Sequence, residues 1–151
     1  MTAVVLRLLC RALCLAGLWA LQPAQAHKPS DSYLALKVEG AALAGQWDIA
    51  LRDLDFALGL DADGNALITW GEVRARHKEI AAYALARLSL AADGTPCTLV
   101  AGRQLVDDHT DGAYTVLEFS AQCAQVPRSL ALGYTLFNEL DPQHRGLVRL
   151  E

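Results

Sequence analysis

Asp61-Ala62-Asp63-Gly64-Asn65-Ala66-Leu67-Ile68-Thr69-Trp70-Gly71-Glu72 is the stretch on which the reading of this chain turns. An EF-hand loop wraps Ca²⁺ in twelve residues, with oxygen ligands from positions 1, 3, 5, 7, 9 and 12 and a bidentate Glu closing the site. Those positions fall here on Asp61, Asp63, Asn65, the Leu67 carbonyl, Thr69 (often through water) and Glu72. Ile68, at position 8, is an apolar residue of the kind that pins such a loop to a core. Hard oxygen donors suit Ca²⁺, and the loop contains no thiol or imidazole. Starting the frame at Asp63 or Asp53 puts Arg74 or Gly64 at the closing position, so a single register works.

One position departs from the pattern. Position 6 normally carries glycine because the chain turns there with positive φ, and this chain has Ala66, with its glycine at position 4 as Gly64. A Cβ in the left-handed region costs about 1–2 kcal/mol, or roughly tenfold in affinity. The expectation is a weak Ca²⁺ site in the ~10⁻⁴–10⁻³ M range of extracellular modules. Two plainer readings stand beside it: a degenerate loop that keeps the shape without the ion, and an ordinary turn ahead of a Thr69–Glu72 capping box. Capping explains Thr69 and Glu72 but leaves the alternation of Asp61, Asp63 and Asn65 without a reason.

Working outward, Tyr33 to Val38 alternates, with Leu34, Leu36 and Val38 on one face, which predicts a half-buried strand. Gly40 to Gly45 reads as the turn, and Trp47, Ile49 and Leu51 alternate in a second strand. Leu54, Ala57, Leu58 and Leu60 fall at helical spacing in a short entering helix over Asp53 to Leu60. Behind the loop, the stripe Val73, His77, Ile80, Ala84 and Leu88 predicts one long helix from Trp70 to Leu90. His77 on that stripe reads as a packed or boundary histidine. Ala92-Asp93-Gly94-Thr95-Pro96 ends the helix. Cys97 to Val106, Ala113 to Ala121, Ser129 to Phe137 and Leu147 to Leu150 then read as strands between turn signals. The expected class is α+β: a β-rich, sandwich-like antiparallel fold, with the EF-hand-like loop and one long helix inserted between its second and third strands.

The 151 residues suit one domain. Residues 1–26 read as a signal peptide: Arg7 and Arg11 with no acid, a short apolar run over Ala12 to Leu21, and Ala24-Gln25-Ala26 as the cleavage site. Cys10 and Cys14 would leave with it. The domain then spans 27–151. Taking Arg7 and Arg11 from the 13 basic residues leaves 11 against 17 acidic ones, a net of −6, which argues against nucleic acid and anionic membrane surfaces. Cys97 and Cys123 flank the turn at His109-Thr110-Asp111-Gly112 almost symmetrically. In an exported chain they are expected to form one disulfide, with a redox or metal role for the pair as the alternative.

Cleavage after Ala26 would leave His27 at the N-terminus, where its amine and imidazole could chelate Ni²⁺ or Cu²⁺, with His109 or His144 as partners. Asp141-Pro142-Gln143-His144-Arg145-Gly146 reads as a strand connection whose Asp accepts backbone or Arg hydrogen bonds. The chain has no G-x-S-x-G, H-E-x-x-H or Gly-rich phosphate loop, so no enzymatic activity is expected.

Several segments, in order, carry a resemblance: His27 to Leu34, Trp47 to Asp55, Ile68 to Glu72, the Cys97/Cys123 pair and Asp141 to Gly146. Together they resemble the periplasmic N-terminal region of HupE/UreJ-type bacterial membrane proteins. The resemblance covers nearly all of the chain after the signal peptide. It implies a periplasmic or exported module, linked to nickel or cobalt delivery and to a membrane permease as partner. Transport is not carried over, because that activity belongs to later transmembrane helices, and no apolar span follows here. The chain is expected to be membrane-anchored if it is part of a longer protein.

Overall fold

The computed structural model describes residues 31–151. The proposed signal peptide and His27 lie outside these residues. Strand β1 (Asp31–Glu39) and strand β2 (Ala42–Ala50) form a hairpin that turns at Gly40 and Ala41, with Leu34 opposite Trp47 and Leu36 opposite Gly45. The turn is tighter than the Gly40-to-Gly45 expectation, since Gly40 alone supplies the positive φ, 66°. Helix α1 (Leu51–Leu58) follows directly, beginning two residues before the expected Asp53 and stopping at Gly59, whose left-handed φ of 66° ends it.

The expected single long helix is two helices and a strand. Helix α2 (Trp70–Ala75) and helix α3 (His77–Leu85) are separated at Arg76, whose φ of −99° and ψ of 10° leave the helical region. The chain then extends into β3 (Leu88–Ala92), where Leu88 and Leu90 are buried and Ser89 between them is exposed. Leu88 fits a helical stripe and a strand alternation equally well. Pairing of β3 with β7 (Leu130–Tyr134) decides for the strand, because it satisfies the backbone of both segments.

The remaining elements are β4 (Thr95–Pro96), β5 (Thr98–His109), β6 (Gly112–Gln122) and β8 (Arg145–Leu150). They complete two sheets, a five-stranded one in the order β5-β6-β2-β1-β8 and a three-stranded one in the order β4-β3-β7. The β-rich α+β expectation holds, with one correction. The larger sheet is mixed rather than antiparallel, because β8 runs parallel to β1.

The two sheets and the helices share one core that includes Leu34, Leu36, Trp47, Ile49, Leu54, Leu60, Val73, Ile80, Leu90 and Leu117. Burying each such Leu or Ile side chain is worth about 1.5–3 kcal/mol. Gly45 is needed for this packing, since a Cβ there would lie 2.2 Å from the Phe119 ring.

Cys97 and Cys123 are disulfide-bonded across the open end of the β5–β6 hairpin, one step beyond the Thr98–Gln122 pair. The bond fits an oxidising, exported environment. Among the described residues, no helix is long and apolar enough to cross a membrane. Closing the 26-residue interval should be worth about 3–4 kcal/mol in the chain-entropy account. Urea unfolding of the Cys97→Ser/Cys123→Ser double variant is expected to show a loss of that size; a loss under 1 kcal/mol would mean the hairpin is held by its ladder alone.

Candidate metal centre

The loop is held at both ends by the core and exposed in between. Leu60 just before it and Val73 just after it are fully buried, and Ile68 packs against the same cluster, as its loop position predicts. Residues from Ala62 to Leu67 face solvent, Leu67 with 68% of its surface exposed. Any contribution from Leu67 is therefore its carbonyl, as the motif requires.

Inside the loop the backbone folds around Asp61. Its Oδ1 accepts the Gly64 and Asn65 N–H groups at 2.8 and 3.1 Å, and its Oδ2 accepts that of Ala66 at 2.8 Å. Three successive amides turned on one carboxylate force a tight winding, and Gly64 and Ala66 take φ of 71° and 64° to allow it. Ala66 is therefore in the left-handed conformation that position 6 was expected to impose. The Asp63 carboxylate turns to Asn65: its Oδ1 accepts the Asn65 N–H at 3.2 Å, and its Oδ2 the Asn65 side-chain amide at 2.9 Å. The Asn65 side-chain Oδ1 accepts the Leu67 N–H at 2.7 Å.

Glu72 closes the ring. Its Oε1 accepts the Ala62 N–H at 2.9 Å, and its Oε2 accepts the Thr69 N–H and hydroxyl at 2.8 and 2.7 Å. The Thr69 hydroxyl in turn accepts the Glu72 N–H, which completes a capping box at the start of α2. Thr69 thus serves the helix cap, and the capping reading and the loop reading both describe this corner. Hydrogen bonds from the Thr69 backbone, the Thr69 hydroxyl and the Ala62 backbone hold the Glu72 carboxyl below its ordinary range.

One carboxylate oxygen each from Asp61, Asp63 and Glu72 lies within 4.8 Å of the others. Two oxygens bound to the same Ca²⁺ at 2.3–2.6 Å can be at most about 4.6–5.2 Å apart, so the spacing fits one ion of that size. Among the described residues no Lys or Arg forms an ion pair with any of the three. Carboxylate lone pairs not directed at amides remain available to a cation.

Two residues that the loop pattern did not single out brace the site. Asp55 on α1 accepts the Asp61 N–H at 2.9 Å. Arg76, at the break between α2 and α3, donates to the carbonyls of Leu58 and Gly59 at 2.8 and 3.2 Å and is ion-paired with Glu79. It thereby ties the chain after the loop to the helix before it. No sequence motif marks Arg76, because its role depends on a break that appears only in three dimensions.

The histidines considered as metal partners are engaged in different places. His109 Nε2 lies 3.3 Å from Asp48 Oδ2, with the ring stacked on Tyr114, while His144 is buried with its Nε2 2.6 Å from the Tyr134 hydroxyl. Neither belongs to a cluster of three or more potential ligands among the described residues. His77 is half-buried beside Gln104, as a boundary residue. Asp141 accepts the Gln143 N–H, as a strand connection requires. No protein-family model matches the sequence, and no curated protein matches it at a significant level.

Two outcomes follow from the geometry. Ala66→Gly should raise stability by about 1 kcal/mol and the melting midpoint by about 3–5 °C, as read by calorimetry, because glycine takes positive φ without the Cβ clash; no gain would mean that Ala66 is not strained. Glu72 has a folded pKa below its ordinary value of 4.5, so its contribution is present above that value and lost as pH falls through the depressed one. A Glu72→Gln variant should therefore show a flatter stability-against-pH curve than the parent below pH about 4.5, while a superimposable pair of curves would remove that assignment.

Proposed function

We propose that this chain is an exported, non-enzymatic Ca²⁺-binding domain, with the ion held by Asp61, Asp63, Asn65, the Leu67 carbonyl, Thr69 and Glu72. The observation that carries the reading is the convergence of three carboxylates from loop positions 1, 3 and 12 within 4.8 Å. Two further features support it: the left-handed backbone at Ala66 and the packing of Ile68 against the core. The ion would add a charged centre to a loop whose flanks Arg76 and Asp55 already join, so its effect is to stabilise the fold by mass action rather than to perform chemistry.

The disulfide supports the exported setting, and the resemblance to HupE/UreJ-type N-terminal regions agrees with a periplasmic one. A partner in this reading is the metal ion itself, with a membrane protein as the neighbour that the resemblance implies. The Cβ at Ala66 supports an affinity at the weak end of the range for such loops.

Thermal unfolding in a Ca²⁺ titration tests the proposal. At a Ca²⁺ concentration about ten times Kd, linkage gives about 1.4 kcal/mol of added stability, a rise of several degrees for a domain of this size. Asp61→Ala should abolish the rise. An unchanged midpoint at about 10 mM Ca²⁺, ten times the weak end of the expected Kd range, or an Asp61→Ala protein that responds like the parent, ends the calcium reading.

A further inference from the structure

Among the described residues the five-stranded sheet has two free edges, and they are built differently. Strand β5 carries Asp107 and Asp108 and slips register between Ala101 and Gln104, where Gly102 lies so close to the Glu118 carbonyl that a Cβ would be 3.0 Å from it. Bulges and charges are how sheet edges resist pairing with another chain. Strand β8 has no bulge, although it carries Arg145 and Arg149. It follows β1 in unbroken register from Arg145 to Leu150, contains no proline, and leaves Leu147, Val148 and Leu150 exposed by 45%, 48% and 59%.

The backbone hydrogen bonds identify which groups of this edge are free. Glu151 donates its N–H to the Leu36 carbonyl and accepts from the Val38 N–H, so Glu151 faces β1. Successive residues of a strand point their N–H and C=O groups to opposite sides, and therefore Gly146, Val148 and Leu150 direct theirs outward.

We propose that β8 joins two copies of this chain, by antiparallel pairing with itself about Val148. A second copy is the occupant because the strand is complementary to itself when centred on Val148. With the two-fold axis at Val148, the outward-facing residues meet as Val148 with Val148, Gly146 with Leu150 and Leu150 with Gly146, a ladder of about six main-chain hydrogen bonds. On the other face Arg145 falls opposite Glu151 of the second copy, and Leu147 opposite Arg149. Arg145 is paired with Asp31 and Glu151 with Arg149, so an Arg145–Glu151 contact would join two existing ion pairs into acid, base, acid, base across the two molecules. Moving the axis to Leu147 sets Arg145 against Arg149, and moving it to Arg149 sets that residue against itself. Like charges directly opposite are destabilising, which disfavours both, and centring on Val148 is the register that pairs all three outward-facing residues of β8. Pairing covers the exposed Val148 and lays Leu150 over Gly146, which has no side chain to oppose it. The contact is isologous and closes at two copies. One strand pair buries a small area, so the dimer is weak and concentration-dependent.

Sedimentation velocity on the full chain, from about 10 µM to 1 mM, should show the sedimentation coefficient rising from monomer toward dimer. Val148→Pro removes the central outward N–H without touching the bonds to β1; it should stay monomeric at the highest concentration with an unchanged circular dichroism spectrum. For register, in a Cys10→Ser/Cys14→Ser background whose Cys97 and Cys123 are already bonded, Val148→Cys should cross-link to itself under mild oxidation at least tenfold faster than Leu147→Cys. A parent that sediments as a monomer throughout, a Val148→Pro protein that still dimerises, or a Leu147→Cys variant that cross-links as fast as Val148→Cys would each overturn the proposal.

Discussion

A tryptophan indole buried without an acceptor would cost the fold about 1–3 kcal/mol, and the interior is arranged so that this does not happen. Trp47, fully buried on β2, donates to the Ser32 hydroxyl on β1 at 3.1 Å. That oxygen lies 2.7 Å from the Tyr134 hydroxyl on β7, which lies 2.6 Å from His144 Nε2 in the connection to β8. Burial pushes the Tyr134 phenol up to about 12, so it stays neutral and can both donate and accept. The relay crosses from the larger sheet to the smaller one and fixes how the two are placed. It also explains Gly146, where a Cβ would come within 2.6 Å of the Tyr134 ring. A side chain at Gly146 would therefore push Tyr134 out of this chain of hydrogen bonds.

The acidic loop obeys the opposite logic, since its polar groups are exposed and its shape is set from its ends. Two carboxylates about 4–5 Å apart in water repel by about 1 kcal/mol. Each hydrogen bond to a charged group is worth about 1.5–3 kcal/mol, and Asp61 accepts three. The amides therefore outweigh the repulsion between Asp61 and Asp63, and the winding stands on local bonding. A cation in such a loop meets ligands that are already gathered, which lowers the ordering cost of binding.

Most of the fold was legible because its strands alternate cleanly. Leu34, Leu36, Trp47 and Ile49 show period two in the sequence and are buried in the structure. The loop was legible for another reason: an EF-hand-like pattern has fixed spacing, and the three carboxylates at its positions 1, 3 and 12 do come together. The long helix was not, because Leu88 satisfies both periods and only pairing with Leu130–Tyr134, more than forty positions away, selects one. The break at Arg76 was hidden for a similar reason, since its partners Leu58 and Gly59 lie on the far side of the loop. The parallel β8 could not be read from its alternation, which is the same for either strand direction.

Alanine and glycine codons differ at a single base. The left-handed Ala66 is therefore one nucleotide substitution away from relief, with no neighbouring residue needing to change. A loop wound this way is a set point that evolution or a protein engineer can move in one step, toward tighter winding, without disturbing the sheets that carry it.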